Sequence, residues 1–134
     1  MAKKTKSIAK LVEEAAVLLQ KLVRLKAMDE NGYVSCVTCG TTRQWNDGMQ
    51  GGHFISRKWL ALKLEEENVH PQCSCCNGPL RGNPIQYTIF MIDTYGREKV
   101  EEMERLKHES RKFYRAEVKD ITQDLKEQIK ELHP

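Results

Sequence analysis

Two pairs of cysteines carry the clearest chemical signal in this chain. Cys36 and Cys39 form one Cys-x2-Cys pair, and Cys73 and Cys76 form a second. Each pair turns the chain so that two thiolates reach one ion, and two pairs complete the tetrahedral coordination of structural zinc. Gly40 directly follows the first pair and suits a tight turn there. The spacing therefore predicts a structural Zn²⁺ site with no open position for a reacting water.

Other assignments of these thiols are less favourable. Cys75 gives a poorer spacing if it replaces Cys73 or Cys76, so we interpret it as a spare thiol. His70 is a weaker substitute ligand, and ordinary buried cysteines are the remaining alternative.

The N-terminus lacks an apolar signal core and no run approaches roughly 18 apolar residues, which predicts a cytoplasmic chain without a membrane partner. Cysteines in a cytosolic protein favour metal binding over disulfides.

The segment between the two pairs contains a second set of candidate residues. Thirty-three residues separate Cys39 from Cys73, more than the roughly 15–20 of a simple zinc ribbon. The segment includes the stretch GGHFISRKW, residues 51–59, in which His53 follows two glycines and precedes Arg57 and Lys58. We expect zinc to hold the two ends of a small element that has too little core to fold alone.

The positions of three polar residues resemble the motif of HNH endonucleases. Asn68 follows His53 by fifteen residues, Asn77 directly follows the last cysteine, and the string NVHPQCSCCN resembles the second half of zinc-bound HNH motifs. The resemblance implies an α+β fold with a zinc-clamped ββα-metal HNH core, flanked by amphipathic N-terminal and C-terminal helices. It implies that His53 ends the first strand as general base and that Asn68 pins the intervening loop. Asn77, at the helix start, would bind a catalytic Mg²⁺ or Mn²⁺.

A wider pattern resembles the phage NinG/Rap recombination endonucleases. GGHFISR, NVHPQC, CN and GN, followed by Tyr87 and Tyr95-Gly96, carry this resemblance over roughly residues 33–105. It implies a metal-dependent DNA endonuclease that acts on D-loops and Holliday junctions in the host cytoplasm and leaves 5′-phosphate and 3′-hydroxyl ends. A recombinase partner is a further hypothesis. The alternatives are a non-catalytic zinc-ribbon module that binds nucleic acid, and a sequence-directed HNH nicking or restriction enzyme.

One position departs from the HNH pattern. Many HNH motifs have Asp or His immediately before the general base, where this chain has Gly52. Asn77 is then the only expected protein ligand of the catalytic ion, with Asp47 as a less favoured second ligand. We therefore expect weak binding of that ion without DNA. The paired glycines are interpreted as letting the scissile phosphate approach His53 closely.

Basic residues indicate how DNA would be held. Arg57, Lys58 and Arg81 are predicted to contact phosphates, with solvated surface charges as the alternative for the first two. Residues 1–26 carry seven basic and two acidic side chains, a bias that fits a polyanion partner or a solvated tail.

For Asn77, capping of the following helix is the alternative to metal binding. Trp45 and Trp59 are expected to pack around the cysteine pairs, and His70, His108 and His133 to be ordinary surface residues.

Helical periodicity defines the flanking regions. An amphipathic helix is predicted from Ile8 to Asn31-Gly32, and another from Pro84 through Asp93, ended by Gly96. The final segment carries an apolar stripe, made up of Tyr114, Val118, Ile121, Leu125 and Leu132. This stripe fits either the N-terminal helix or a second subunit, so a homodimer is a hypothesis. We expect one compact domain, with a basic helix in 1–32, the zinc-stabilised nuclease core in 33–83 and helices in 84–134.

Overall fold

The computed structural model describes residues 5–134 as a mixture of helices and two small antiparallel sheets. The elements are α1 (Ile8–Ala27), β1 (Tyr33–Ser35), β2 (Thr42–Gln44), β3 (Met49–His53), α2 (Leu60–Lys63), a 3₁₀ turn (Glu66–Asn68), β4 (Val69–Cys73), α3 (Ser74–Asn77), α4 (Pro84–Tyr95), α5 (Arg97–Leu106) and α6 (Arg115–Leu132). The α+β prediction is confirmed. Lys3 and Lys4 of the predicted basic arm lie outside the described residues. None of the helices in residues 5–134 has the length and apolar character that a bilayer span requires.

The N-terminal helix is shorter than the sequence predicts. It begins after Ser7, whose hydroxyl accepts the Lys10 N–H at 3.1 Å, and it ends at Ala27 rather than at Gly32. The carboxylate of Asp29 accepts the N–H groups of Asn31 and Tyr33, both at 2.9 Å, which stabilises a turn instead of another helical turn. Gly32, with φ +85°, belongs to that turn and leads into β1.

The apolar stripe of α6 packs on α1 of the same chain. Val118 and Leu125 are 0% and 6% exposed in the core that α6 shares with Val12, Leu19 and Leu22 of α1. The stripe differs from the prediction at its ends, because Tyr114 and Leu132 are exposed, whereas Phe113 and Ile129 are buried. Since this face is covered within the chain, the stripe no longer supports a homodimer.

The second sheet lies against α1 and carries the candidate site. β3 pairs with β4 in antiparallel register, from Met49 opposite Cys73 to His53 opposite Val69. Val69 of β4 joins the core formed by α1 and α6. α3 follows β4 directly, so that the order of elements is strand, strand and helix, with α2 and the 3₁₀ turn between the strands.

A third group of apolar side chains fixes the loop after β3. Ile55 and Leu62 are buried with Tyr87 and Met91 of α4 and Met103 of α5. α4 begins at Pro84, as predicted, and runs two residues beyond Asp93 to Tyr95, where Gly96 at φ +88° ends it. The C-terminal helices therefore hold the segment that connects β3 to β4.

Candidate functional site

The four predicted cysteine ligands come together at one point. The sulfurs of Cys36, Cys39, Cys73 and Cys76 all lie within 4.8 Å of one another. The Sγ atoms of Cys39 and Cys73 are 3.7 Å apart, close to the roughly 3.8 Å expected between two ligands of a tetrahedral zinc with bonds of about 2.3 Å. The predicted grouping is confirmed, and its donor set fits Zn²⁺. Cys75 is exposed and lies outside this group.

Local geometry positions each pair of sulfurs. Gly40, at φ +79°, donates its N–H to the Cys36 carbonyl at 2.9 Å and closes the turn between β1 and β2. In the second pair, the Cys76 N–H donates to the Cys73 sulfur at 3.4 Å, across the first turn of α3. A metal at this point would tie the β1–β2 turn to the junction of β4 and α3.

The thiols differ in how readily they ionise. Burial opposes ionisation of Cys36, but hydrogen bonds from Thr38 and from backbone groups outweigh it and lower the pKa of Cys36 to about 6. Burial raises the pKa of the Cys73 thiol to about 12. The thiolate that zinc requires at Cys73 therefore depends on the positive charge of the ion itself.

His53 ends β3, at the position that the sequence predicts, and its ring is held by one hydrogen bond. Its Nε2 lies 2.9 Å from the carbonyl oxygen of Lys63. Because a carbonyl only accepts, Nε2 carries the proton and the lone pair is on Nδ1. Nδ1 is buried and has no hydrogen-bond partner among residues 5–134. Burial lowers the pKa of His53, so the imidazole is neutral at pH 7.

Asn68 joins the loop after β3 to α2. Its side chain is fully buried, and its Oδ1 accepts the Ile55 N–H at 2.7 Å. Its Nδ2 donates to the carbonyls of Ile55 at 3.0 Å and Leu62 at 3.1 Å. These bonds tie Asn68 to the loop after β3 and to Leu62, the residue before Lys63, whose carbonyl holds His53.

An open pocket of about 430 Å³ brings several predicted site residues together. His53, Arg57, Asn77 and Arg81 line it, with Phe54, Ser56, Gly78 and Gly82. No carboxylate is among these lining residues. Asp47 lies in the turn before β3, at the opposite end of the strand from His53, and it is not among the lining residues, so its role as a second ligand stays a prediction.

Asn77 faces the pocket, but its place in the helix differs from the prediction. It is the last residue of α3, and Cys73 occupies the N-cap position, so Asn77 neither starts nor caps that helix. Asn83 is the N-cap of α4, so Asn77 does not cap that helix either, and the capping alternative for Asn77 is wrong. The Asn77 Nδ2 donates to the Gln50 Oε1 at 2.7 Å, an orientation that leaves the Asn77 Oδ1 available as a ligand.

The two glycines before His53 are needed for packing within the protein. A Cβ at Gly51 would lie 2.6 Å from the Cβ of Gln20 on α1. A Cβ at Gly52 would lie 2.7 Å from the Cδ of Gln72, whose buried side chain fills the space beside that glycine. The interpretation that these glycines admit a phosphate is therefore wrong. The side chain of Gln72 occupies the space that a side chain at position 52 would need.

The three predicted DNA contacts have different surroundings. Arg57 lines the pocket and donates from Nη2 to Glu13 Oε2 at 2.7 Å. Lys58 does not line the pocket, and its Nζ lies 5.1 Å from the ring centroid of Trp59. Arg81 is exposed, lines the pocket and makes no ion pair within the part of the chain that the structure describes. Arg57 and Arg81 are thus placed to contact a bound anion.

Comparison with known proteins identifies the family. A family profile described as "Bacteriophage Lambda NinG protein" matches residues 1–134. The chain belongs to the NinG family. Protein ninG of Escherichia phage lambda is 27% identical over 124 residues, which cover 90% of this chain and 56% of that protein. Protein ninG of Salmonella phage P22 is also 27% identical over 124 residues, or 57% of its length. The chain thus spans little more than half of these curated relatives, and no solved structure gives a significant match.

In this NinG-family chain, the sequence did not reveal the role of His70. Contrary to the surface prediction, His70 is largely buried, and its Nδ1 and Nε2 lie 3.0 Å from Tyr87 Oη and 2.8 Å from Tyr95 Oη. Tyr87 donates its hydroxyl proton to the Gly52 carbonyl at 2.7 Å, so it accepts from His70 Nδ1, and Tyr95 donates to Nε2. Burial lowers the pKa of His70 to about 4.

Gln72 and Glu13 also support the candidate site, and neither gives a signal in the sequence. Gln72 is fully buried, and its Nε2 donates to Thr38 Oγ1 at 3.1 Å and to the Gly82 carbonyl at 2.9 Å, which links the cysteine turn to the pocket. Glu13 reaches the site from α1, far away in sequence. A single Gln in a strand or a Glu on an amphipathic helix is common in sequences. Only the contacts made in the folded protein show that these two residues reach the site.

Proposed function

We propose that this chain is a divalent-metal-dependent DNA endonuclease of the HNH type that cuts branched recombination intermediates. The observation that carries the proposal is the arrangement of His53, which lines a pocket with Asn77 and two arginines and has its proton held on Nε2 by a backbone carbonyl. The preference for D-loops or Holliday junctions rests on the resemblance to the NinG/Rap endonucleases.

His53 has the state that a general base requires. Its lone pair is on Nδ1, because Nε2 donates to the Lys63 carbonyl, and its lowered pKa keeps the ring neutral near pH 7. Nδ1 is closed to solvent in the free protein, so it would take a proton from the attacking water once substrate binding admits that water. The same hydrogen bond to Lys63 would stabilise the resulting imidazolium. Asn68 would act indirectly, by fixing the turn that carries the Lys63 carbonyl.

Asn77 is the residue that would hold a catalytic Mg²⁺ or Mn²⁺. Its Oδ1 is the type of oxygen ligand that these ions accept, and Gln50 holds the amide by its nitrogen. A cation bound there would neutralise charge on the phosphate and on the departing 3′-oxygen, leaving 5′-phosphate and 3′-hydroxyl ends. Because the lining residues of the pocket include no carboxylate, we expect such a cation to bind weakly until a phosphate supplies further oxygen ligands.

Arg57 and Arg81 would hold the phosphates on either side of the cut. Both line the pocket, and arginine binds phosphate oxygens in a two-pronged geometry. Lys58 would contribute charge from the adjacent loop. Partners other than DNA, whether a recombinase or a second copy, remain predictions, and a homodimer would require a surface other than the α6 stripe.

A zinc-stabilised module that binds nucleic acid without cutting it is the second candidate. The observation that favours it is the absence of a carboxylate among the residues that line the pocket. Such a module would share the four cysteines and the two arginines with the nuclease, and it would have no use for the fixed proton on His53.

The decisive experiment compares cleavage of a labelled four-way junction with that of a matched linear duplex in Mg²⁺ or Mn²⁺. Wild type, His53→Ala and the control His133→Ala, which removes a histidine outside the pocket, are assayed together for cutting and for binding. The proposal expects wild type and His133→Ala to cut the junction, and His53→Ala to bind without cutting. Binding without cutting by wild type in every cation would support the second candidate instead.

A further inference from the structure

Glu13 contacts two parts of the proposed nuclease site at once. One carboxylate oxygen, Oε2, accepts from Arg57 Nη2 at 2.7 Å, and the other, Oε1, is paired with Lys63 Nζ. Arg57 lines the pocket, and the Lys63 carbonyl holds His53. A single carboxylate on α1 therefore connects both sides of the site to the helix.

The two ion pairs of Glu13 differ in their exposure to solvent. The Lys63 side chain is 9% exposed, whereas those of Arg57 and Glu13 are 49% and 46% exposed. A buried lysine is costly without its counter-ion, so the pair with Lys63 is held firmly. An exposed ion pair contributes little, and a DNA phosphate is a strong competitor for an arginine. The hydrogen bond from Lys63 outweighs burial and lowers the pKa of Glu13, which is therefore ionised.

We propose that Glu13 is an exchange residue, which pairs with Arg57 in the free protein, yields Arg57 to a DNA phosphate on binding, and stays bound to Lys63 throughout. This inference rests on the proposed function, since it requires DNA in the pocket. Glu13 does not touch reacting atoms. It is a positioning residue that sets the cost of freeing Arg57 and maintains the turn that holds His53.

The test measures affinity for a labelled four-way junction by fluorescence anisotropy with no divalent cation added, so that cleavage is not needed. Chelators are left out because they would compete for structural zinc. Glu13→Gln keeps an amide oxygen for Lys63 and removes the charge that holds Arg57. We expect it to bind roughly two- to fivefold more tightly than wild type, the range that corresponds to the loss of one exposed ion pair.

Glu14→Gln is the matched control. Glu14 is the next residue on α1 and undergoes the same change of charge, but it pairs with Lys6 at 2.7 Å and does not line the pocket. We expect a smaller gain in affinity from this control than from Glu13→Gln. In an Arg57→Ala background, which itself weakens binding, Glu13→Gln should give no gain, because no arginine is left to release.

Lys63→Met is the control for a folding defect in Glu13→Gln. Replacing the buried lysine by an apolar side chain of similar length removes the need for its counter-ion, and the gain from Glu13→Gln should persist in that background. Equal gains from Glu13→Gln and Glu14→Gln, or a gain that survives Arg57→Ala, would overturn the exchange. Failure of the wild type to bind any DNA would instead refute the proposed function.

Discussion

Replacing Asn68 by alanine removes the side chain that fixes the loop next to the candidate site. Three hydrogen bonds to backbone groups are lost, those of the Ile55 N–H and of the carbonyls of Ile55 and Leu62, and of these groups the Leu62 carbonyl keeps the Glu65 N–H as a donor at 3.3 Å. Asn68 is 0% exposed, so bulk water does not reach these groups in the native fold. The change therefore tests whether this amide is a structural requirement of the loop.

The expected loss of stability follows from those three partners. A buried group left without its hydrogen bond costs about 1–3 kcal/mol, and the space left by the side chain allows a water to satisfy part of the set. We expect Asn68→Ala to lower the free energy of unfolding by about 2–5 kcal/mol. That is a large share of the roughly 5–15 kcal/mol that holds a typical domain together.

Asn68→Asp keeps the shape of the side chain and replaces its amide by a carboxylate. Its carboxylate still accepts the Ile55 N–H, but the second oxygen faces the carbonyls of Ile55 and Leu62, where the amide nitrogen donates in wild type. This environment raises the folded-state pKa of the new carboxyl above its unfolded value of about 3.9. The penalty is present above the folded pKa and is lost as pH falls through it, because the protonated acid donates to one carbonyl.

The assay is urea unfolding of wild type and both variants in reducing buffer with a small excess of zinc, at several pH values. Comparing Asn68→Asp with Asn68→Ala at each pH cancels effects that both variants share. We expect Asn68→Asp to be the less stable of the two at pH 7 and the difference to shrink towards pH 5. A loss below about 1 kcal/mol for Asn68→Ala, or a pH-independent difference, would refute the reasoning.

Three further outcomes are expected. Cys76→Ser should abolish binding of zinc and cooperative unfolding, whereas Cys75→Ser should keep both, as metal analysis and circular dichroism would show. Because the pKa of His70 is about 4 in the fold and about 6.5 when unfolded, the free energy of unfolding should fall by up to about 3–4 kcal/mol as pH drops from 6.5 to 4. His70→Gln should flatten the unfolding profile over that range, and an unchanged profile would refute the assignment. Gly52→Ala should cost about 1–3 kcal/mol through contact with Gln72, and adding Gln72→Ala should cost less than the sum of the two changes, as thermal melts of the set would test.

Local patterns in the sequence located several of the residues that the candidate site brings together. The Cys-x2-Cys spacing predicted a cysteine group that the structure confirms, because two ligands on one turn are a local geometry. The positions of His53, Asn68 and Asn77 resemble a known motif, and His53 and Asn77 line one pocket. The end of α1 was misjudged, because the turn made by the Asp29 side chain competes with the helix and gives no periodic signal.

The sequence by itself determined the two cysteine pairs and the amphipathic helices, which depend on neighbours within a few residues, and the resemblance implied that His53 ends a strand. Only the tertiary structure decided that the α6 stripe covers α1, that Gly51 and Gly52 pack on Gln20 and Gln72, and that Glu13 reaches the site. It also decided which ring nitrogen of His53 carries the proton, because Nε2 lies within hydrogen-bond distance of the Lys63 carbonyl. The physical reason is that these features join segments distant in sequence, where burial and packing choose the partners.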